Sequence, residues 1–309
     1  MTAFLLISLG VVLLYSGGEV LVAAVTRMAN AFHVSPLVIG LTVVAFGTSS
    51  PEVAVAIGAG LANRPEIALG NVLGSNIANI GLILGVSALV AAVDAHAGFL
   101  RRDLPFLAAI SLLLLPAVWL ADFSQLLGVA LVLLLVGYLW VLLRQRDGSE
   151  LDEKVDDGAL PADRLVSSVG VVVGIGLLVF GADVLVDAAV ELARRLSVSE
   201  RIIGLTLVAF GTSLPELAGC LAAARHNQGD IVIGNVVGSN IFNTLLVLPA
   251  AILIRPVAAT AANFIDMSVS LGFTLVAFAF FYRRGQLGAA GGSLLLASYL
   301  VYVGFLFLS

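Results

Sequence analysis

The amino-acid sequence predicts an all-α integral membrane protein with ten transmembrane helices, arranged as two inverted repeats of five helices each. Hydrophobic residues make up 60% of the 309 positions and charged residues only 11%, whereas a soluble domain carries about 25% charged residues. The duplication is visible directly, because residues 39–79 return as residues 203–243 without a gap, with 24 of 41 positions identical. Lipid is therefore the expected solvent, and two related halves share the fold.

Ten apolar segments have the length that a membrane span requires, which is about 20 residues. Cutting at charged residues and at Pro/Gly breaks gives spans 3–25, 37–62, 67–92, 104–121 and 125–143, then 166–190, 202–224, 231–254, 264–282 and 287–308. The predicted organisation is a first membrane repeat (1–143), a charged linker (144–165) and a second membrane repeat (166–309). The N-terminal segment lacks the basic region of a signal peptide, so it is interpreted as a retained span.

Orientation follows from the distribution of Lys and Arg, since cytoplasmic loops carry an excess of both. Ten basic residues fall on the side of the linker and five on the opposite side. The linker is therefore expected in the cytoplasm and both termini outside, in a multi-pass protein of a prokaryotic plasma membrane. Five spans per half is an odd number, so the second half enters the membrane inverted. The net charge of −5 indicates no nucleic-acid surface.

The repeated motif places one glutamate in each half inside strongly apolar sequence. Glu52 closes the segment that begins at Gly40, and Glu216 closes its copy. Charge within hydrocarbon is costly, so an intramembrane glutamate that occurs twice is a functional hypothesis by default. Interrupted helices in corresponding positions of two halves are also how many transporters build their substrate sites.

The residues around the glutamates favour a hard cation. Pro51 and Pro215 have no N–H, so each removes a helical partner from the carbonyl four residues earlier and allows the helix to distort. Carboxylates and freed carbonyls are the oxygen ligands that Ca2+ prefers. Further oxygens would come from neighbouring hydroxyls and amides, namely Ser49, Ser213, Ser75, Ser239, Asn79 and Asn243.

Several repeated residues have a structural interpretation instead. A single Ser or Thr in a span often bonds to its own helix, and glycines in spans favour close helix packing. The packing interpretation applies to Gly70, Gly74, Gly234 and Gly238. We expect Asn76 and Asn240 to tie helices together. We expect Glu19 and Asp183 to lie near span ends or to make local polar contacts, with contact to an ion path as the alternative.

The paired Gly-Thr-Ser-x-Pro-Glu and Gly-Asn-x-x-Gly-Ser-Asn-Ile-x-Asn segments resemble the two alpha repeats of the sodium/calcium exchanger family, in the form without a regulatory domain. The resemblance implies four ion sites between the second, third, seventh and eighth spans. It implies calcium ligands from the side chains of Glu52 and Glu216 and the carbonyls of Thr48 and Thr212. It implies further sodium ligands at Ala45, Ser49 and Ser75, at Ala209, Ser213 and Ser239, and at Asn79 and Asn243.

One position departs from the pattern of the family, which commonly carries an aspartate where this chain has Asn243. Both middle positions are therefore amides, and two carboxylates remain. Two negative charges neutralise one Ca2+, two protons or two Na+, while a third Na+ would leave a positive charge at mid-membrane, where charge is costly. The counter-ion and the stoichiometry are left open by this substitution.

The leading interpretation is a secondary antiporter that exchanges Ca2+ for Na+ by alternating access, and not an enzyme. A proton/Ca2+ antiporter using the same glutamates is the nearest alternative. Gly47-Thr48-Ser49 could suggest a serine protease, but no histidine falls within a span, and internal inverted duplication disfavours a channel built from identical subunits. No cofactor is expected; the partners are Ca2+, Na+ or H+ and the lipid bilayer, with the monomer as the functional unit.

Overall fold

The computed structural model describes residues 2–119, 123–144, 161–196, 209–258 and 260–308, and these residues are almost entirely helical. The first half contains α1 (Thr2–Phe32), α2 (Pro36–Ile39), α3 (Ala45–Thr48), α4 (Ser50–Leu61), α5 (Pro65–Ala78), α6 (Gly85–Val90), α7 (Ala97–Arg101), α8 (Asp103–Trp119) and α9 (Gln125–Arg144). The second half contains α10 (Pro161–Arg195), α11 (Ala209–Gly211), α12 (Leu214–Arg225), α13 (Gly229–Phe242), α14 (Leu248–Ile254), α15 (Ala261–Arg284) and α16 (Ala289–Leu308).

Short π-helical segments join several of these helices into longer spans. Gly40–Val44 joins α2 to α3, Asn79–Leu84 joins α5 to α6, and Asn243–Val247 joins α13 to α14. The last two segments begin at equivalent positions, because 243 − 79 = 164. π-helical turns are rare and often occur at functional sites, and here they follow the second repeated motif in both halves.

Seven helices among the described residues are long and apolar enough to cross a membrane, or eight if the bent pair Pro36–Thr48 and Ser50–Leu61 forms one span. The predicted count of ten stays a prediction, since residues 202–208 of the seventh span and most of the linker lie outside the described residues. Two predicted spans are considerably shorter than the helices that contain them. The span predicted at 3–25 lies in a helix that continues to Phe32, and the one predicted at 166–190 lies in a helix that begins at Pro161, inside the predicted linker, and continues to Arg195.

α1 and α10 are longer than the bilayer requires. They contain 31 and 35 residues, so at 1.5 Å per residue they extend about 46 and 52 Å, against about 30 Å of hydrocarbon. The two helices pack backbone to backbone: a Cβ atom added to Gly174 would lie 2.8 Å from Cα of Leu21. Glycine permits this approach because it has no side chain.

Two backbone pairings connect the halves in loops that follow or precede spans. The two-residue strands β1 (Val93–Asp94) and β2 (Gln286–Leu287) pair in antiparallel fashion, with Val93 opposite Leu287. An isolated antiparallel bridge joins Phe123 to Val257. The two pairings use equivalent positions, since 257 − 93 and 287 − 123 both equal 164. The same contact is therefore made twice, with the halves exchanging roles.

The bundle has a buried centre formed by the third and eighth spans. In each of the helices that contain α5 and α13, 78% of the residues in an apolar 18-residue stretch are buried, against 33% in α1 and 28% in α10. The outer helices instead expose large apolar side chains, including Leu133 on α9 and Val172 on α10. Such a surface suits hydrocarbon, and the polar residues of both motifs lie in the protected interior.

Candidate functional site

The helix of the second span is interrupted at the first copy of the motif. Ser49 adopts φ −81° and ψ 7° between α3 and α4, and the two parts of the span meet at 44°. Pro51 has no N–H to donate to the Gly47 carbonyl. This carbonyl instead accepts a hydrogen bond of 2.7 Å from the Ser50 hydroxyl. Ser213 has a similar conformation, φ −91° and ψ 4°, before α12. Both motifs therefore break the helix immediately before their glutamates.

Both glutamates are buried and face hydroxyl groups from both halves. Glu52 and Glu216 are each 1% exposed. Oε1 of Glu216 accepts a hydrogen bond of 3.2 Å from the Ser49 hydroxyl. The hydroxyls of Thr48 and Ser239 lie near the same carboxylate, and those of Thr212 and Ser75 lie near Glu52. The two carboxylates are close enough for their charges to interact. The motifs predicted to meet are thus brought together.

Four asparagines form a reciprocal arrangement beside the carboxylates. Nδ2 of Asn79 donates to Oδ1 of Asn240 at 2.9 Å, and Nδ2 of Asn243 donates to Oδ1 of Asn76 at 3.2 Å. Asn76 and Asn240 therefore tie the third and eighth spans together, as expected. The amide nitrogens of Asn79 and Asn243 are held in this way, which leaves their Oδ1 atoms buried without a hydrogen-bond partner.

Two supporting residues were not assigned a role by the sequence. Oδ1 of Asn235 accepts from the Thr48 hydroxyl at 3.1 Å, so it orients a residue of the motif in the other half; it lies in the repeated Gly-Asn pair, which was a usable signal. Thr244 accepts a hydrogen bond of 3.1 Å from Nδ2 of Asn76. Its counterpart by the 164-residue offset is Ile80, so a search for repeated polar residues could not find it.

The remaining predicted residues are distributed as follows. Ala45 and Ser213 are buried beside the helix breaks, and Ala209 begins α11, with its side chain outside the description. Glu19 makes an ion pair with Arg225 at 2.9 Å and a hydrogen bond with Nε2 of His226 at 2.6 Å. Both partners lie at the C-terminal end of α12, and these are the polar contacts expected of Glu19. Gly234 and Gly238 pack closely on the second span, with an added Cβ at Gly238 2.7 Å from Cβ of Ala45. An added Cβ at Gly70 or Gly74 meets no described atom within 4 Å, and the equivalent segment, 202–208, lies outside the described residues.

The interior between the motifs is rich in oxygens that lack partners. Buried atoms without a hydrogen bond include Oε2 of both glutamates, Oδ1 of Asn79 and Asn243, and Oγ of Ser213. Leaving a buried polar group unsatisfied costs about 1–3 kcal/mol, and more if it is charged. A bound cation would remove this cost. Because the donors are carboxylate, amide and hydroxyl oxygens, the set suits Ca2+ and other hard cations rather than soft metals.

No cluster of three His, Cys, Asp or Glu residues occurs within the part of the chain that the structure describes. Cys220, the single cysteine, is buried and bonded to Nδ2 of Asn235 at 3.3 Å. Its sulfur accepts this hydrogen bond within the packed core, so we do not assign Cys220 as an ion ligand. The oxygen donors around the two carboxyl groups are of the types that hard cations prefer.

Known proteins with related sequences identify the family of this chain. The family model described as "Sodium/calcium exchanger protein" matches residues 2–144 and 166–308. The inner membrane protein YrbG of Escherichia coli is 35% identical over 99% of this chain and 96% of its own length. The sodium/calcium exchanger MaX1 of Methanosarcina acetivorans is 31% identical over 98% of both chains.

A solved structure is similar over the same extent. The sodium-calcium exchanger NCX_Mj, soaked with Na+ and without Ca2+, superimposes with a TM-score of 0.88 at 34% sequence identity, covering 98% of each chain. The likeness extends over both halves and so includes both glutamate motifs. The fold and the family are those of a multi-pass membrane transporter, and the chain belongs to the sodium/calcium exchanger family.

Proposed function

We propose that this protein is a secondary active antiporter that exchanges Ca2+ for Na+ by alternating access. The observation that carries the proposal is the pair of buried glutamates, Glu52 and Glu216, each with a carboxylate oxygen that lacks a partner. Their two negative charges balance one Ca2+. A loaded site that is neutral can move through a low-dielectric interior at much smaller cost than a charged one.

The ligand assignment follows the two halves. Ca2+ is bound by the side chains of Glu52 and Glu216 and the carbonyls of Thr48 and Thr212. Na+ uses these groups together with Ala45, Ser49 and Ser75 in the first half and Ala209, Ser213 and Ser239 in the second. Asn79 and Asn243 contribute their Oδ1 atoms to the middle of the site. The cross-half contact from Ser49 to Glu216 supports this arrangement, because it brings ligands of both halves to one place.

The proposed architecture has ten spans in two inverted repeats, with the linker in the cytoplasm and both termini outside. The equivalence of the Val93–Leu287 and Phe123–Val257 pairings supports inversion, since an inverted duplication makes the same inter-half contact once at each membrane face. Inverted repeats provide alternating access when the halves exchange conformations.

A proton/Ca2+ antiporter is the second candidate, and the amide at Asn243 favours it. With only two carboxylates, two protons balance the charge of one Ca2+, whereas three Na+ would leave a net positive charge. The glutamates would then carry the protons. The oxygen-rich surroundings, with hydroxyls and amides that a proton carrier does not need, support Na+ as the counter-ion.

The two candidates are separated by Ca2+ uptake into proteoliposomes that contain the purified protein. Under the proposal, an outward Na+ gradient drives uptake, and an outward H+ gradient at the same membrane potential does not. Uptake that follows only the H+ gradient would establish the alternative. Ca2+ entry without any counter-ion gradient would contradict antiport altogether and indicate a channel.

A further inference from the structure

Two grooves occupy equivalent places in the two halves, on the surface that faces lipid. One lies between α8 and α9 with a volume of about 840 Å³, and the other lies between α15 and α16 with a volume of about 590 Å³. Tyr138 lines the first and Tyr302 the second, and 302 − 138 = 164. The grooves are therefore copies of one feature, and the differences between them identify what each can bind.

A similar contact closes both grooves at their polar end, although its two aspartates, Asp103 and Asp266, are 163 rather than 164 positions apart, so that Asp266 is the counterpart of Arg102. The Tyr138 hydroxyl donates to Oδ1 of Asp103 at 3.0 Å, and the Tyr302 hydroxyl donates to Oδ1 of Asp266 at 2.7 Å. Each bond fastens the fourth span of a half to the fifth. This clamp is common to both grooves and so does not distinguish their ligands.

The first groove differs in being basic. Arg101 and Arg102 line it, whereas Ile265 lies in the second groove at the place equivalent to Arg101. Arg102 is neutralised by fully buried Asp103, with Nε and Nη2 donating to the two carboxylate oxygens at 2.8 and 3.1 Å. Arg101 is exposed and makes no ion pair with any residue that the structure describes, so its charge remains available to a ligand.

A second positive charge stands at the same end of the groove. The Arg144 guanidinium lies 4.0 Å from the ring centre of Trp140, and Trp140 is one of the lining residues. Trp and Arg side chains are typical of the boundary between hydrocarbon and water. The same end of the bundle carries Arg283 and Arg284, because β1 pairs there with β2. The basic end of the groove thus lies at a membrane interface.

The rest of the groove is apolar and recessed. Leu133, Leu134 and Val141 form its walls, and a Cβ added to Gly137 would meet no described atom within 4 Å. The recess continues along helices that expose apolar side chains, such as Leu112 on α8 and Leu133 on α9. An occupant must therefore have a long apolar part that lies in hydrocarbon and an anionic part that reaches Arg101.

We propose that the groove between α8 and α9 binds an anionic phospholipid, with its phosphate at Arg101 and one acyl chain along Leu133, Leu134 and Gly137. A basic pocket between spans on the cytoplasmic side is a recognised form of lipid recognition. By the orientation proposed above, the groove opens to that leaflet. The second groove, which has Ile265 in place of the arginine, takes no anionic head group.

The test uses Trp140 as a local probe. The chain contains two tryptophans, and Trp119→Phe leaves only Trp140. The full-length variant is reconstituted in mixed bilayers with phosphatidylglycerol or phosphatidylcholine that carries bromine on its acyl chains, and quenching of Trp140 is titrated. We expect brominated phosphatidylglycerol to be about fivefold more effective, the ratio that corresponds to about 1 kcal/mol for one arginine near the surface.

Two substitutions decide whether the preference belongs to the groove. Arg101→Ile copies the second groove and is expected to abolish the preference, while Arg283→Ile removes the same charge from the same end and is expected to preserve it. Excess inorganic phosphate should not restore fluorescence, because the acyl chain holds the ligand. Equal quenching by both lipids, a preference that survives Arg101→Ile, or displacement by phosphate would each overturn the proposal. The measurement does not depend on which ions the protein exchanges.

Discussion

Asn243→Asp tests how the amides hold the centre of the site. Nδ2 of Asn243 donates to Oδ1 of Asn76 at 3.2 Å. A protonated carboxyl group at position 243 can still donate a hydrogen bond to Oδ1 of Asn76. An ionised carboxylate cannot donate, so two acceptor oxygens would face each other. Leaving such a buried group unsatisfied costs about 1–3 kcal/mol, which corresponds to roughly a 5- to 150-fold change in an equilibrium constant.

We therefore expect Na+-driven Ca2+ uptake by the variant to be retained near neutral pH and to fall at alkaline pH relative to the parent. Uptake is expected to fall as pH rises because the carboxyl group then loses its proton, and with it the hydrogen bond to Asn76. Uptake into proteoliposomes is measured at a series of pH values with the same Na+ gradient. The parent is the control, because its amide does not titrate.

The matched variant Asn79→Asp places the same change in the first half, facing Oδ1 of Asn240 at 2.9 Å. In Asn243→Asp, rotation of the Asn76 amide can relieve the new carboxylate, because the Asn76 nitrogen faces the Thr244 hydroxyl. That hydroxyl donates to the Asn240 carbonyl at 2.8 Å and can redirect its proton to the rotated Asn76 oxygen. Rotation of Asn240 would instead turn its oxygen toward the Asn76 carbonyl, to which its nitrogen now donates. Asn79→Asp should accordingly lose activity more steeply with pH. A folded, Ca2+-binding Asn243→Asp variant that is inactive at neutral pH would refute this reasoning.

Two further predictions concern stability. Gly174→Leu should strongly reduce the melting temperature of the detergent-solubilised protein, because the leucine side chain would collide with the backbone of Leu21. The control Gly176→Leu meets open space and should melt near the temperature of the parent. Equal melting temperatures of the two variants would contradict the close packing of α1 on α10. Asp103→Ala leaves Arg102 without its buried partner, which is expected to lower the free energy of unfolding by about 3–5 kcal/mol. The melting temperature should therefore drop by several degrees. A melting temperature like that of the parent would show that the ion pair is dispensable.

The sequence predicted which residues lie together at the centre of the bundle better than it predicted the lengths of the helices. The motif could be found because charge, proline and hydroxyl residues recur at one offset inside apolar sequence, which requires a function or a fold to maintain them. The lengths of α1 and α10 could not be found in this way. Their ends extend beyond the hydrocarbon, where hydropathy no longer indicates whether a helix continues. α10 begins at Pro161, and near this end Nε of Arg164 donates to the Ala31 carbonyl of α1 at 3.0 Å.

Comparison of the two halves also could not predict the roles of residues that differ between them. Thr244 corresponds to Ile80 and Arg101 to Ile265, so comparing the halves identifies them as differences, but only the structure shows what each contacts. Asn235 was visible in both repeats and still lacked a role, because its bond to Thr48 crosses between halves. Contacts of this kind depend on the relative placement of the repeats.

The most direct test of the account is Na+-driven Ca2+ uptake by Glu52→Gln and Glu216→Gln in proteoliposomes. At an effective dielectric constant of about 20, a unit charge on a ligand about 2.4 Å from Ca2+ contributes about 7 kcal/mol per unit charge of the ion, and losing even a third of this reduces binding about fiftyfold. Both variants should therefore lose at least that factor in uptake, while Glu191→Gln, which changes an exposed carboxylate paired with Arg195, should transport as the parent does. Substantial Ca2+ flux through either intramembrane variant would show that the transported ion binds elsewhere.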